Sequence, residues 1–112
     1  MTSPQKRKGS QFERDVVEFL KVNGHPYAER HYGAGRPDDV GDIDGIPGWT
    51  LEVKNHRALE LAGWLAEAEA ERVNGRQRFG GVIFKRRGRP TADSYVLLDL
   101  TTFARLLAEE DA

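Results

Sequence analysis

Thr50-Leu51-Glu52-Val53-Lys54 alternates apolar and charged side chains, and this alternation constrains the fold more than any other stretch of the chain. A period of two is the signature of a strand, with Leu51 and Val53 directed inward and Glu52 and Lys54 sharing the outward face. Pro47-Gly48 just upstream is a turn pair, so the segment from Gly41 to Asn55 reads as a β-hairpin. Asp42 stands ten positions before Glu52, on the incoming strand. Two carboxylates and a lysine on one small surface are the parts of a divalent-metal site with a cation beside it, the equipment for cutting phosphodiesters.

The register of the hairpin decides whether those parts meet. With a strict two-residue turn at Pro47-Gly48, Ile43 would oppose Glu52 and the acids would fall on opposite faces. The site therefore requires an odd loop, such as Pro47-Gly48-Trp49, or a bulge near Gly45. Asp42 and Asp44 project from the same strand face, so both are candidates, while Asp38 and Asp39 sit in a turn-forming loop, residues 33–39.

A chain of 112 residues holds one domain with a single core of modest size. Its 38% hydrophobic and 31% charged residues fit a soluble globular protein, and no apolar run approaches the ~20 residues of a membrane span. The N-terminal segment Met1–Lys8 has no apolar stretch behind it, which argues against a secretory signal and for a cytoplasmic protein. Without cysteine there are no disulfides and no thiolate ligands, and His25, His31 and His56 lack zinc spacing. Any metal must sit on oxygen ligands or on His25, His31 and His56, and a zinc site is not expected. The net charge of -1 hides segregation: Lys6, Arg7 and Lys8 form one basic group, Arg72, Arg76 and Arg78 a second, Lys85, Arg86, Arg87 and Arg89 a third. Brought to one side, these groups would form a phosphate-binding surface.

Residues 1–9 read as a flexible basic arm and residues 10–112 as one domain. Ser10-Gln11-Phe12-Glu13 matches a capping box, predicting a helix from Ser10 to Asn23-Gly24 with Phe12, Val16, Phe19 and Leu20 inward. A strand near Tyr27–Tyr32 and the hairpin follow. A second helix is predicted from about Ala58 to Val73, with Leu61, Trp64, Leu65 and Ala68 on its inner face and Glu67, Glu69 and Glu71 in water. Strands Phe79–Arg86 and Ser94–Leu100 read as covered on both faces. Thr101 or Thr102 would cap a last helix, Phe103–Glu109, with Phe103, Leu106 and Leu107 inward. The expected fold class is α/β, a mixed five-stranded sheet flanked by helices. Trp49 and Trp64 read as packing residues, His56 as an exposed helix-entrance histidine, and His31 as a group able to reach a phosphate.

This order of elements, with Lys8-Gly9-Ser10-Gln11-Phe12-Glu13, Gly41-Asp42, Leu51-Glu52-Val53-Lys54-Asn55 and the basic strand end Phe84-Lys85-Arg86-Arg87-Gly88, resembles the PD-(D/E)xK nuclease superfamily. The likeness is to its Holliday-junction resolvases of archaea and bacteriophages, and it spans nearly the whole chain. It implies a restriction-endonuclease-like fold and a magnesium-dependent endonuclease, with manganese as a substitute, acting on four-way DNA junctions as a homodimer. Position by position, Asp42 and Glu52 match the metal-binding acids, Lys54 the catalytic lysine and Glu13 an additional acid of the first helix, with the Val53 carbonyl as a further ligand. The family position favours Asp42 over Asp44. Glu13 has a second reading as a helix cap. Lys6, Arg7, Lys8, Arg36, Lys85, Arg86 and Arg87 are the expected nucleic-acid contacts.

Overall fold

In the computed structural model, which describes residues 3–31 and 40–110, the chain forms one five-stranded sheet with helices on both faces. Helix α1 (Pro4–Val22) leads into β1 (Glu29–Arg30), β2 (Ile43–Asp44) and β3 (Trp49–Lys54). Helix α2 (Leu61–Asn74) crosses to β4 (Phe79–Phe84), a 3-10 turn covers Thr91–Asp93, and β5 (Tyr95–Leu97) and α3 (Leu100–Glu110) close the chain. The sheet order follows the sequence, β1-β2-β3-β4-β5. Only β3 and β4, joined by α2, run parallel; the other neighbours are antiparallel. The mixed five-stranded α/β architecture is as expected. The loop carrying Arg36, Asp38 and Asp39 lies outside the described residues, as does Tyr32.

The first helix starts earlier than the capping box suggested. Ser3 is its N-cap, with Oγ accepting from Lys6 N–H at 3.2 Å, and Pro4 occupies the first turn, where its missing N–H costs nothing. Ser10 is therefore a mid-helix residue, and Lys6, Arg7 and Lys8 ride on a helix rather than on a free arm. At the other end Asp99, not a threonine, caps α3: its Oδ1 accepts from Thr102 N–H at 2.7 Å.

Both faces of β3 are covered. Phe12, Val16 and Val17 of α1 pack with Ile43, Leu51 and Val53 on one side; Trp64 and Ala68 of α2 pack with Val82 and Phe84 on the other. The second cover corrects the outward placement of Glu52, which is only 4% exposed. The far edge departs from expectation as well. Tyr95 and Val96 of β5 and Leu100, Phe103 and Leu107 of α3 are exposed, because α3 leans on the sheet edge through polar groups. Arg105 lies over the Phe79 ring and donates to Arg78 O, while Arg78 pairs with Glu109.

The hairpin meets its register requirement in a way the sequence left open. Ile43 pairs with Leu51, so the loop is odd and centred on Pro47 rather than on Gly48. Gly45 and Gly48 hold φ of 86° and 83°, and a Cβ at Gly45 would come within 1.9 Å of Tyr27 O. Only glycine fits that turn.

Candidate metal and nucleic-acid site

Asp42 lies just before β2, and its side chain extends the pairing with β3. Asp42 N–H donates to Leu51 O at 2.8 Å, while Asp42 Oδ2 accepts from Val53 N–H at 2.7 Å. The carboxylate is thereby fixed against β3 beside Glu52. Burial pushes the Asp42 carboxyl up to about 6; the Val53 N–H pulls the other way, and the Glu13 charge adds to the rise. Asp44 is committed elsewhere, to His31 Nδ1 at 2.8 Å. That contact also occupies the histidine.

Glu52 is the most perturbed group. Burial, the Glu71 carboxyl against it and the charges of Asp42, Glu71 and Glu67 push it up to about 12. Its Oε1 is buried without a hydrogen-bond partner. Lys54 Nζ lies 3.6 Å from Glu52 Oε2 and 2.5 Å from Glu67 Oε1. Burial alone would lower the lysine, but the Glu67 hydrogen bond and the charges of Glu52, Glu67 and Asp42 outweigh it and raise it, so the ammonium is retained.

Both glutamates come to the site: Glu67 stays exposed as expected, while Glu71, expected in water, is buried. Among the described residues, Glu52, Glu67 and Glu71 offer carboxylate oxygens all within 4.8 Å of one another, a group that could hold a metal ion. The signal was present in the sequence: Trp64, Glu67, Ala68 and Glu71 follow the i, i+3, i+4, i+7 spacing of a single helix face. Once Trp64 and Ala68 are buried, the two glutamates must point the same way. Glu69 falls off that face and pairs with Arg72 at 2.6 Å in solvent, as expected.

An open cleft of about 810 Å³ gathers these groups, with Glu13, Asp42, Glu52, Val53, Lys54, Glu67 and Glu71 in its wall. Glu13 reaches it from α1 while paired with Arg30 at 3.0 Å. Lys6 and Lys8 stand at the rim. A second cleft of about 470 Å³ continues past Lys8, Asn55, His56 and Arg57, which line both, to Lys85 and Arg87. Arg86, by contrast, lies over the Tyr95 ring at 5.6 Å and Arg7 lines neither cleft. Asn55, His56 and Arg57, which follow β3 directly, are thus additional cleft residues. Trp49 and Trp64 pack, against Phe79 and Phe84 respectively.

The donor chemistry fits a hard divalent cation: several carboxylate oxygens, one of them buried with no donor, and no sulfur or imidazole among them. No protein-family model, no curated protein and no solved structure matches the chain. Among the described residues no helix is long and apolar enough to cross a membrane.

Proposed function

We propose that the chain is a magnesium-dependent endonuclease of branched DNA, a Holliday-junction resolvase with a restriction-endonuclease-like fold. The observation that carries the reading is the meeting of Asp42, Glu52 and protonated Lys54 in one open cleft that runs on into a basic one. Asp42, Glu52 and the Val53 carbonyl would hold Mg2+, or Mn2+ in its place. When bound, the ion supplies charge stabilisation at the phosphate and a more acidic water.

The chain's own residues do the rest. Val53 N–H fixes the Asp42 carboxylate, so the acid needs no reorganisation when a ligand arrives. Lys54 presents its positive charge to the non-bridging oxygens of the scissile phosphate, where negative charge grows in the transition state. Lys6 and Lys8 on one rim, and Arg57, Lys85 and Arg87 beyond, hold the sugar-phosphate backbone and set its direction across the cleft. Glu13 acts through Arg30, which it anchors beside the cleft.

A junction has two equivalent strands to cut, so the working unit is a homodimer with both clefts on one side. The exposed apolar side chains of Val96, Leu100, Phe103 and Leu107 are the surface offered to the second copy. The test is incubation of labelled four-way junction, duplex, flap and single-stranded DNA with Mg2+ or with chelator, alongside sedimentation of the protein with and without junction. Paired incisions in the junction by a dimer are expected. Cleavage of flaps or single strands by a monomer would replace the resolvase with a nicking or repair nuclease, and binding without cleavage would leave a DNA-binding module.

A further inference from the structure

The nuclease reading asks the smaller cleft, of about 470 Å³, only to hold phosphates, and part of its wall is wrong for that task. Asp15 stands there half-buried among Lys8, Arg57, Lys85 and Arg87, and a carboxylate repels a phosphate. Among the described residues no cation pairs with it. Its Oδ1 instead accepts from Gln11 Nε2 at 2.8 Å, and Gln11 Oε1 accepts from Arg14 at 3.1 Å, so the amide and the acid on this turn of α1 are held in one orientation. At the end of β3, Asn55 donates to Lys8 O at 3.4 Å, which leaves its Oδ1 and a second N–H for a ligand. Amides and a carboxylate fixed beside cations are groups that read the edge of a nucleobase, whereas cations alone would serve a backbone. Asn55, His56 and Arg57 line both clefts, so what fills the smaller one lies next to whatever is held at Asp42 and Glu52.

We propose that this cleft is a nucleobase pocket, taking one unpaired adenine, cytosine or guanine from the strand to be cut, with Asp15 accepting from the exocyclic amino group and Asn55 meeting the neighbouring edge position. The inference rests on the nuclease reading for the strand that brings the base; the pocket itself stands on Gln11, Asp15 and Asn55. A base stacked in a duplex cannot enter a concave cleft, so it must be splayed out, and this costs least where the arms of branched DNA meet. His56, exposed at the boundary of the two clefts and set against Trp64 at 5.7 Å between ring centroids, offers a ring for that base to stack on. Lys8, Lys85 and Arg87 then hold the phosphates on either side. Thymine is disfavoured: it carries no amino group, and the two carbonyls that flank its single N–H repel the Asp15 carboxylate.

The test reads binding apart from cleavage, with Ca2+ in place of Mg2+. Duplexes with one unpaired A, C, G or T, or with an abasic residue at that position, are titrated with the full chain, and 2-aminopurine placed there reports by its fluorescence whether the base leaves the helix stack. Wild type should bind the amino-bearing bases at least about tenfold more tightly than thymine or the abasic residue, the value of one good base contact. Asp15→Ala should erase that ratio and Asn55→Ala should reduce it. A carboxylate that is only a solvated charge gives a different pattern, with no base preference in wild type and tighter binding of every form alike once it is removed. Either that result or a preference that survives Asp15→Ala would overturn the pocket. Incubation with Mg2+ separates this from the nuclease reading: cleavage without base preference would strike the pocket alone, base preference without cleavage would strike the nuclease alone, and no binding of any DNA would strike both.

Discussion

The two faces of β3 are buried to the same depth but in opposite chemistry. Leu51 and Val53 meet Phe12, Val16 and Val17, a dry contact in which every methylene contributes to holding α1 on the sheet. One residue over in each case, Thr50, Glu52 and Lys54 lie under α2, and two of the residues α2 turns toward them are glutamates. A strand under no demand but stability would carry valine or isoleucine on both faces. One face instead holds acids driven far from their ordinary ionisation, an arrangement that costs stability and that the proposed site would account for. α1 therefore serves chiefly as the clamp and α2 as both clamp and wall of the site.

The comparison breaks most sharply at Lys54. Lys54→Ala should lower the cleavage rate by several orders of magnitude while leaving junction affinity and the unfolding midpoint close to wild type, since its charge acts where the transition state differs from bound DNA. Single-turnover cleavage beside equilibrium binding reads the two separately. Equal losses in both would make the lysine a phosphate anchor, and the α2 face a binding surface rather than a catalytic one.

How far this division was legible in the sequence depends on the residue. The period of two in Thr50–Lys54 sufficed to pair Glu52 with Lys54, whereas the turn residues around Pro47 left the register open, and the odd loop that brings Asp42 alongside is seen only in the pairing of Ile43 with Leu51. Element order was equally legible, because each apolar run was bounded by Gly, Pro, Asn or Asp. What escaped were effects of packing that a helix's own sequence states only in part. Glu71 read as solvated because charge on a helix is usually solvated, and only the depth at which Trp64 sits draws it under, while Glu67 on the same face stays exposed. Ser10-Gln11-Phe12-Glu13 matched a cap that Ser3-Pro4 supplies first, and the same Glu13 turns instead to Arg30, seventeen residues on. In α3 the apolar stripe is present, but the sheet edge it would cover is held by Arg105 and Arg78 instead.

Substitutions of neighbouring residues should move stability in opposite directions. Leu51→Ala opens a cavity on the α1 face and should cost about 2–5 kcal/mol. Glu52→Gln, in chelator, should stabilise by about 1–3 kcal/mol because an acid without its donors is removed. The sign with pH follows from the raised carboxyls. Glu52, moved from its ordinary 4.5 to about 12, holds its proton more tightly folded than unfolded, so stability is greatest at low pH and falls as pH rises above 4.5. Asp42, moved from 3.8 to about 6, adds a loss confined between those two values. Exposed Glu69 and Asp99 are lowered, by Arg72 and Thr102 respectively, and act in the opposite sense in both proteins, so the difference between wild type and variant isolates Glu52. Urea midpoints from pH 4 to 8 should fall steadily in wild type and level off above about 6 in Glu52→Gln. Parallel curves would mean that Glu52 is ionised at neutral pH and already compensated.

The smallest expected effect lies at the end of β4, where three consecutive basic residues divide between the two sides of the sheet. Lys85 Nζ lies 5.4 Å above the Phe12 ring on the α1 side and, with Arg87, lines the basic cleft; Arg86 stacks on Tyr95. Each phosphate contact that binding replaces adds about 0.9 to the slope of log affinity against log salt. Lys85→Gln and Arg87→Gln should therefore each flatten that slope by about one such contact and weaken every DNA form alike, because phosphate contacts carry no base information. Arg86→Gln should leave the slope where it is. Titrations of four-way junction and duplex at several salt concentrations separate the three. If Arg86 proves as salt-sensitive as its neighbours, the DNA path crosses the β5 edge, and the apolar surface there cannot be reserved for a second copy of the chain.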